Sequence, residues 1–150
     1  MLKPPVNIDA LMKEWSEDVN INADGMEKEL LKISFLHGKY LNIMSYHRHM
    51  LRKLDADYKM LKGLREDYYH GYLNNKEDLD KHGWEPMLLD LTNPQIARKL
   101  ETDGELNKIL LKKIAHEEIV SYCELVMRNL NNRSWDLKTY VEYLKYTNPK

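Results

Sequence analysis

The strongest constraint in this sequence is a long stretch without proline. Between Gly25 and Tyr69 no proline occurs, and apolar residues recur every three or four positions. Leu51, Leu54, Tyr58 and Leu61, followed by Leu64 or Arg65, keep close to a heptad, and Tyr40, Met44 and His47 extend the same stripe backwards. That spacing lines one side of an α-helix, and the residue that would break it is missing. A helix over about 25–70, or two in series, is expected; a single one would be about 65 Å long. Gly38 and Gly63 each cost about 1 kcal/mol relative to alanine in a helix interior, so one of them is expected at a bend or a close contact. Asp24, with Glu27 three residues later, is a capping-box-like start.

The rest of the chain is also helical in pattern. Ile8, Leu11, Met12 and Trp15 give Asn7–Asp18 a short amphipathic helix. Gly71 to Glu85 is polar and reads as a loop. Asn93-Pro94 places a cap and an N1 proline at the start of a short helix reaching Glu101, and Asp103-Gly104 breaks the chain again. Glu105–Leu130 is a second long helix with a wide apolar stripe, ended by Asn131-Asn132. Ser134 then caps a last helix with Leu137, Tyr140, Val141 and Leu144 on one face. The fold class is all-α, with two long helices (about 25–70 and 105–130) and three short ones. A chain of 150 residues suits one domain, 1–150.

The total charge is uninformative until it is divided. Lys+Arg number 23 and Asp+Glu 24, a net of −1, which excludes a globally basic nucleic-acid coat. Yet residues 39–65 hold Lys39, Arg48, Arg52, Lys53, Lys59, Lys62 and Arg65 against Asp55 and Asp57, a net of +5. Residues 1–29 sum to −4 and residues 66–90 to −5, so the cationic block is fenced on both sides. His37, His47 and His49 would add to the block below neutral pH. Lys59, Lys62 and Arg65 fall broadly on one side of a helix, and Tyr68, Tyr69 and Tyr72 follow within two turns. Cations that track phosphates beside rings on which bases stack are what a single strand of nucleic acid requires. The same pattern also suits a solvated helix face with its tyrosines packed inward.

Catalytic and metal chemistry find little support. His47 and His49 point about 200° apart on a helix, a poor chelate. His116-Glu117-Glu118 lacks the second histidine of a zinc-hydrolase helix, and there is no phosphate-binding glycine loop. No enzyme, cofactor or metal is expected. The single cysteine, Cys123, lies in an apolar stripe and reads as core; it allows no intramolecular disulfide, which fits a reducing compartment. The N-terminal residues lack the apolar core of a signal peptide, and no stretch approaches the roughly 20 apolar residues of a membrane span. The expected location is a cytoplasm.

One segment goes further. Leu61-Lys-Gly-Leu-Arg-Glu-Asp-Tyr-Tyr-His-Gly71 resembles the Leu-Lys-Ala-Arg-Leu-Asp-Tyr-Tyr-Ser-Gly segment of the UvsY family of T-even-type phage recombination mediators. Tyr122-Cys123 is similar to an aromatic–Cys pair in that family's late helix. Leu130-Asn-Asn-Arg-Ser-Trp-Asp-Leu-Lys138 resembles its Ile-Lys-Ser-Arg-Gly-Phe-Ala-Ile-Lys, at the same distance from the cysteine. The likeness runs from about Glu14 to Tyr146 and is weak in the loop after Gly71. It implies a non-enzymatic protein of an infected host's cytoplasm that binds single-stranded DNA. Such a protein forms a closed homo-oligomeric ring, of roughly six or seven subunits by that likeness. It helps a RecA-like recombinase of the UvsX type displace the phage single-strand-binding protein. A Lys and an Arg of the family segment serve DNA binding. Arg65 matches the Arg most directly, and Lys62 matches the Lys with a one-residue shift; Glu66 is an insertion.

The expected DNA face is therefore Lys59, Lys62, Arg65, Tyr68 and Tyr69, with Arg48, Arg52 and Lys53 as its extension. By the same likeness the C-terminal region supports oligomerisation, so 132–150 is expected to be a C-terminal oligomerisation helix; its apolar Trp135, Leu137, Tyr140, Val141 and Leu144 suit subunit packing, or else docking onto Glu105–Leu130 within the chain. The alternative is a non-catalytic helical oligomer acting as a structural or adaptor protein.

Overall fold

A computed structural model of the chain describes residues 7–22 and 25–148. The described residues contain five helices and no strand: α1 (Ile8–Asp18), α2 (Met26–Tyr69), α3 (Lys76–His82), α4 (Asn93–Glu101) and α5 (Gly104–Thr147). The all-α class and the long first helix match the sequence pattern, and α2 runs unbroken through Gly38 and Gly63. The Asp24–Glu27 start falls outside the described residues, because Asp24 is not among them. Glu29 in the first turns of α2 is buried, and its Oε1 accepts the Asn22 amide at 3.0 Å.

Three expectations need correcting. The second long helix does not end at Asn131-Asn132, and Ser134 caps nothing: α5 is 44 residues long and reaches Thr147. Asn and Ser are only mildly unfavourable in a helix interior. Val126, Leu130 and Leu137 are all buried, with Arg133 half-buried between them, so one packed stripe carries the helix across the polar stretch. The polar loop 71–85 likewise contains α3. Asn75 caps it, its side chain accepting the Glu77 amide at 3.2 Å, and Gly83 closes it at φ 69° with Trp84 N–H donating to Leu79 O at 2.9 Å. A seven-residue helix with one buried apolar residue, Leu79, shows no periodicity to read. In α4 the cap is Thr92 rather than Asn93, paired with Gln95 in a capping box.

The chain divides into two compact units: residues 1–50 with 115–150, and residues 51–114. In the first, Leu11 of α1, Leu36, Tyr40, Ile43 and Met44 of α2, and Ile119, Cys123, Val126 and Leu130 of α5 form one core. Asn7 starts α1 by accepting the Ala10 amide at 2.8 Å. At its other end Asp18 accepts from Lys39 at 2.6 Å and from Tyr40 Oη at 2.9 Å. Burial, reinforced by Asp18, pushes the Tyr40 phenol well above its usual range. His47 is fully buried, with its Nδ1 2.7 Å from Nδ1 of His116, so it adds nothing to a cationic surface. Burial pushes the Cys123 thiol up to about 11, as suits a core cysteine.

In the second unit the remainder of α2 presents Leu51, Leu54, Tyr58 and Leu61, all half-buried, along the stripe read from sequence. Leu79, Ile96 and Leu106 bring α3, α4 and the start of α5 into this unit's packing. Helix α2 ends at Tyr69 and is closed by Gly71, φ 78°, where the amides of Gly71 and Tyr72 return to Tyr68 O (3.0 Å) and Asp67 O (2.9 Å). This closure satisfies the last carbonyls of the helix and needs a residue free to adopt the left-handed conformation.

Candidate nucleic-acid interface

Side chains advance about 100° per residue around a helix. By that rule Arg52, Lys59 and Lys62 of the second unit share one side of α2, within about 80° of one another, and Glu66 follows on the same side. All three cations are exposed. Lys59 pairs with Asp55 at 3.1 Å, and Lys113 of α5 reaches the same carboxylate at 3.1 Å while lying over the Tyr58 ring. The hydrogen bonds from Lys113 and Lys59 hold the Asp55 carboxyl below its usual range. Among the described residues no ion pair holds Arg52, Lys53 or Lys62. Lys53 is exposed but sits about 100° away from Arg52. Arg48 belongs to the first unit, where it pairs with Glu124 at 3.0 Å.

Arg65 is placed differently. Its Nε meets Asp103 Oδ2 at 2.5 Å and its NH2 donates to Tyr69 Oη at 2.8 Å, while Tyr69 Oη donates to the same Asp103 oxygen at 2.7 Å. The guanidinium carbon lies 4.8 Å from the Tyr68 ring centroid, 4.8 Å from Tyr69 and 4.5 Å from Trp84. Tyr68 Oη donates to Glu85 O at 2.6 Å, and Trp84 Nε1 to Glu105 Oε1 at 3.1 Å. Asp103 Oδ1 meanwhile caps α5 by accepting the amides of Glu105 (2.9 Å) and Leu106 (3.1 Å). Burial pushes the Asp103 carboxyl up, but hydrogen bonds from Tyr69, the Leu106 amide and Arg65 outweigh it and hold the group below its usual range. Arg65 is held above its usual value by Asp103 and Tyr69, against the effect of its own burial.

The residues grouped as one DNA face thus separate. Arg52, Lys59 and Lys62 stand together in solvent; Arg65 and Tyr69 are engaged inside the second unit, with Tyr68 half-buried over them. Asp103 and Trp84, which complete this cluster, were not singled out from the sequence. Asp103 carries a local signal, an aspartate before a glycine and an apolar run, but Trp84 carries none.

In the C-terminal set Leu137 is buried and Val141 half-buried, whereas Trp135 (70%) and Tyr140 (50%) are exposed and Leu144 partly so. No group of three His, Cys, Asp or Glu side chains among the described residues is placed to hold a metal ion. Among the described residues no helix is long and apolar enough to cross a membrane.

The described residues define an all-helical protein with a cationic side on its first long helix. The family of recombination, repair and ssDNA-binding proteins called UvsY matches residues 14–150. That span is most of the sequence, and the chain belongs to the UvsY family. Crystal structures of the bacteriophage T4 recombination mediator protein UvsY share its fold. One superposes with a TM-score of 0.80 at 18% identity, covering 92% of this chain and 97% of that one. Another lattice type gives 0.80 at 18% identity, covering 93% and 99%. No curated protein matches the chain by sequence.

Proposed function

We propose that this protein is a phage recombination mediator that binds single-stranded DNA and promotes loading of a RecA-like recombinase in place of the single-strand-binding protein. Family membership over residues 14–150 carries the reading. The exposed row Arg52, Lys59 and Lys62 supplies the phosphate contacts, with exposed Lys53 about 100° to one side of Arg52; Arg48 of the first unit and the half-buried Tyr68 lie outside the row. Arg65 and Tyr69 act in DNA binding by holding the end of α2 in place. A row of three cations binds weakly by itself. Repeated around a homo-oligomeric ring it binds by avidity, and the strand can still be released one contact at a time. Exposed Trp135, Tyr140 and Leu144 are suited to that assembly, since isolated monomers rarely leave so many large apolar side chains in water. Recombinase and single-strand-binding protein are the partners, and the infected host's cytoplasm is the place of action.

Fluorescence titration with a labelled single-stranded oligonucleotide, repeated over a range of salt, tests the reading. Affinity should fall steeply and log-linearly with salt, as phosphate contacts release counterions. Absence of binding at low salt, or indifference to salt, overturns it.

A further inference from the structure

Beyond the cationic row, α2 ends in two rings that the row leads to. His70, the residue after the helix, falls on the same side as Arg52 by the 100° rule. Its imidazole is stacked on Tyr72, with centroids 5.1 Å apart and planes 9° from parallel. Both residues are exposed, Tyr72 at 74%. His70 also lines an open cleft of about 400 Å³ within the second unit, together with Glu66 and the Asn93, Ile96, Ala97 and Leu100 side of α4. The cleft is open to solvent, so a group seated in it would be held on its protein side only.

The chemistry of the cleft is selective. Ile96, Ala97 and Leu100 provide an apolar wall, and one ring of a two-ring stack provides another. The Glu66 carboxylate repels a phosphate but accepts hydrogen bonds from N–H groups. A phosphate-lined anion site would have the opposite sign. A nucleobase has an apolar face and an N–H edge, and in single-stranded DNA that edge is unpaired and available.

We propose that the cleft between the end of α2 and α4 is a nucleobase pocket, in which an unpaired base stacks on His70, itself stacked on Tyr72, and turns its N–H edge to Glu66. The proposal rests on the reading of the chain as a single-strand binder and adds where the bases go while Arg52, Lys59 and Lys62 hold the backbone.

The full-length protein is titrated with two labelled probes of equal length and charge, a deoxycytidine oligonucleotide and an abasic one. The deoxycytidine probe should bind about tenfold more tightly. His70→Ala should erase that advantage with an unchanged salt slope and an unchanged helical spectrum, Tyr72→Ala should reduce it, and His70→Phe should restore it. Equal binding of the two probes, or a His70→Ala protein that still discriminates between them, overturns the pocket and leaves DNA binding standing. Failure of the wild-type protein to bind either probe overturns the DNA-binding reading and the pocket with it.

Discussion

Lys62 and Arg65 stand one turn apart on the same helix and do opposite work. Lys62 projects into solvent, and among the described residues no ion pair holds it. Arg65 retains 13% of its side-chain exposure, faces a fully buried Asp103 carboxylate and is surrounded by three aromatic rings. Two cations in one sequence cluster therefore differ in what they can give a partner. An exposed ammonium exchanges water and counterions for a phosphate at little cost. A guanidinium already satisfied inside the protein would have to abandon a buried carboxylate first, and that costs several kcal/mol.

The sharpest way to break this contrast is at Asp103. Removing its carboxylate in Asp103→Ala leaves Arg65 desolvated without a partner and uncaps α5, and should destabilise the protein by about 3–5 kcal/mol. Urea unfolding measures it, and a loss under 1 kcal/mol would mean that Arg65 is as available as Lys62. The same pair sets an acid limit. Because the folded-state pKa of Asp103 lies below the unfolded value of about 3.9, its contribution is complete above that value. It is lost as the pH falls through about 4 towards the folded pKa. Stability measured from pH 7 to pH 3 should drop at the low end, and Asp103→Asn should flatten that drop. An equal drop in both proteins assigns it to other carboxylates.

On the exposed side the expected effects concern binding. Lys62→Ala should leave the unfolding free energy within about 0.5 kcal/mol and lower the salt slope of DNA binding by about one. A destabilised Lys62→Ala protein, or one with an unaltered slope, would blur the distinction from Arg65. Asp55 already occupies part of Lys59, so Lys59→Ala should change the slope less than Lys62→Ala does.

Sequence carried the first half of this contrast and not the second. The proline-free stripe from Tyr40 to Leu61 made α2 legible, because each turn repeats the same choice of buried side. The charge count made the cationic row legible for the same local reason. Arg65 was read with the row because sequence shows its charge but not Asp103, which lies 38 residues away and meets it only once α5 is in place. Trp84 was invisible for a related reason: a lone ring in a polar stretch has no period, and its position follows from the turn at Gly83. The continuation of α5 past Asn131 was missed because polar residues were weighed by propensity, whereas buried Leu130 and Leu137 decide the matter by packing.

The smallest expected effect lies at Gly63, which the 100° rule places at the edge of the row, about 20° beyond Arg52 and about 100° from Lys62, on the exposed side of α2. A Cβ there meets nothing within 4 Å, so Gly63→Ala should simply remove backbone entropy from the unfolded chain and stabilise the helix by up to about 1 kcal/mol. If the strand is held at arm's length by the flexible stems of the three cations, DNA affinity will not change. That is the expected result, since long side chains make their phosphate contacts well outside the helix backbone. A protein that is more stable and yet binds DNA more weakly would show the opposite, a strand lying directly against the helix at the glycine beside the row. The row would then work by close approach as well as by charge, and the difference between Lys62 and Arg65 would include how near each lets the DNA come.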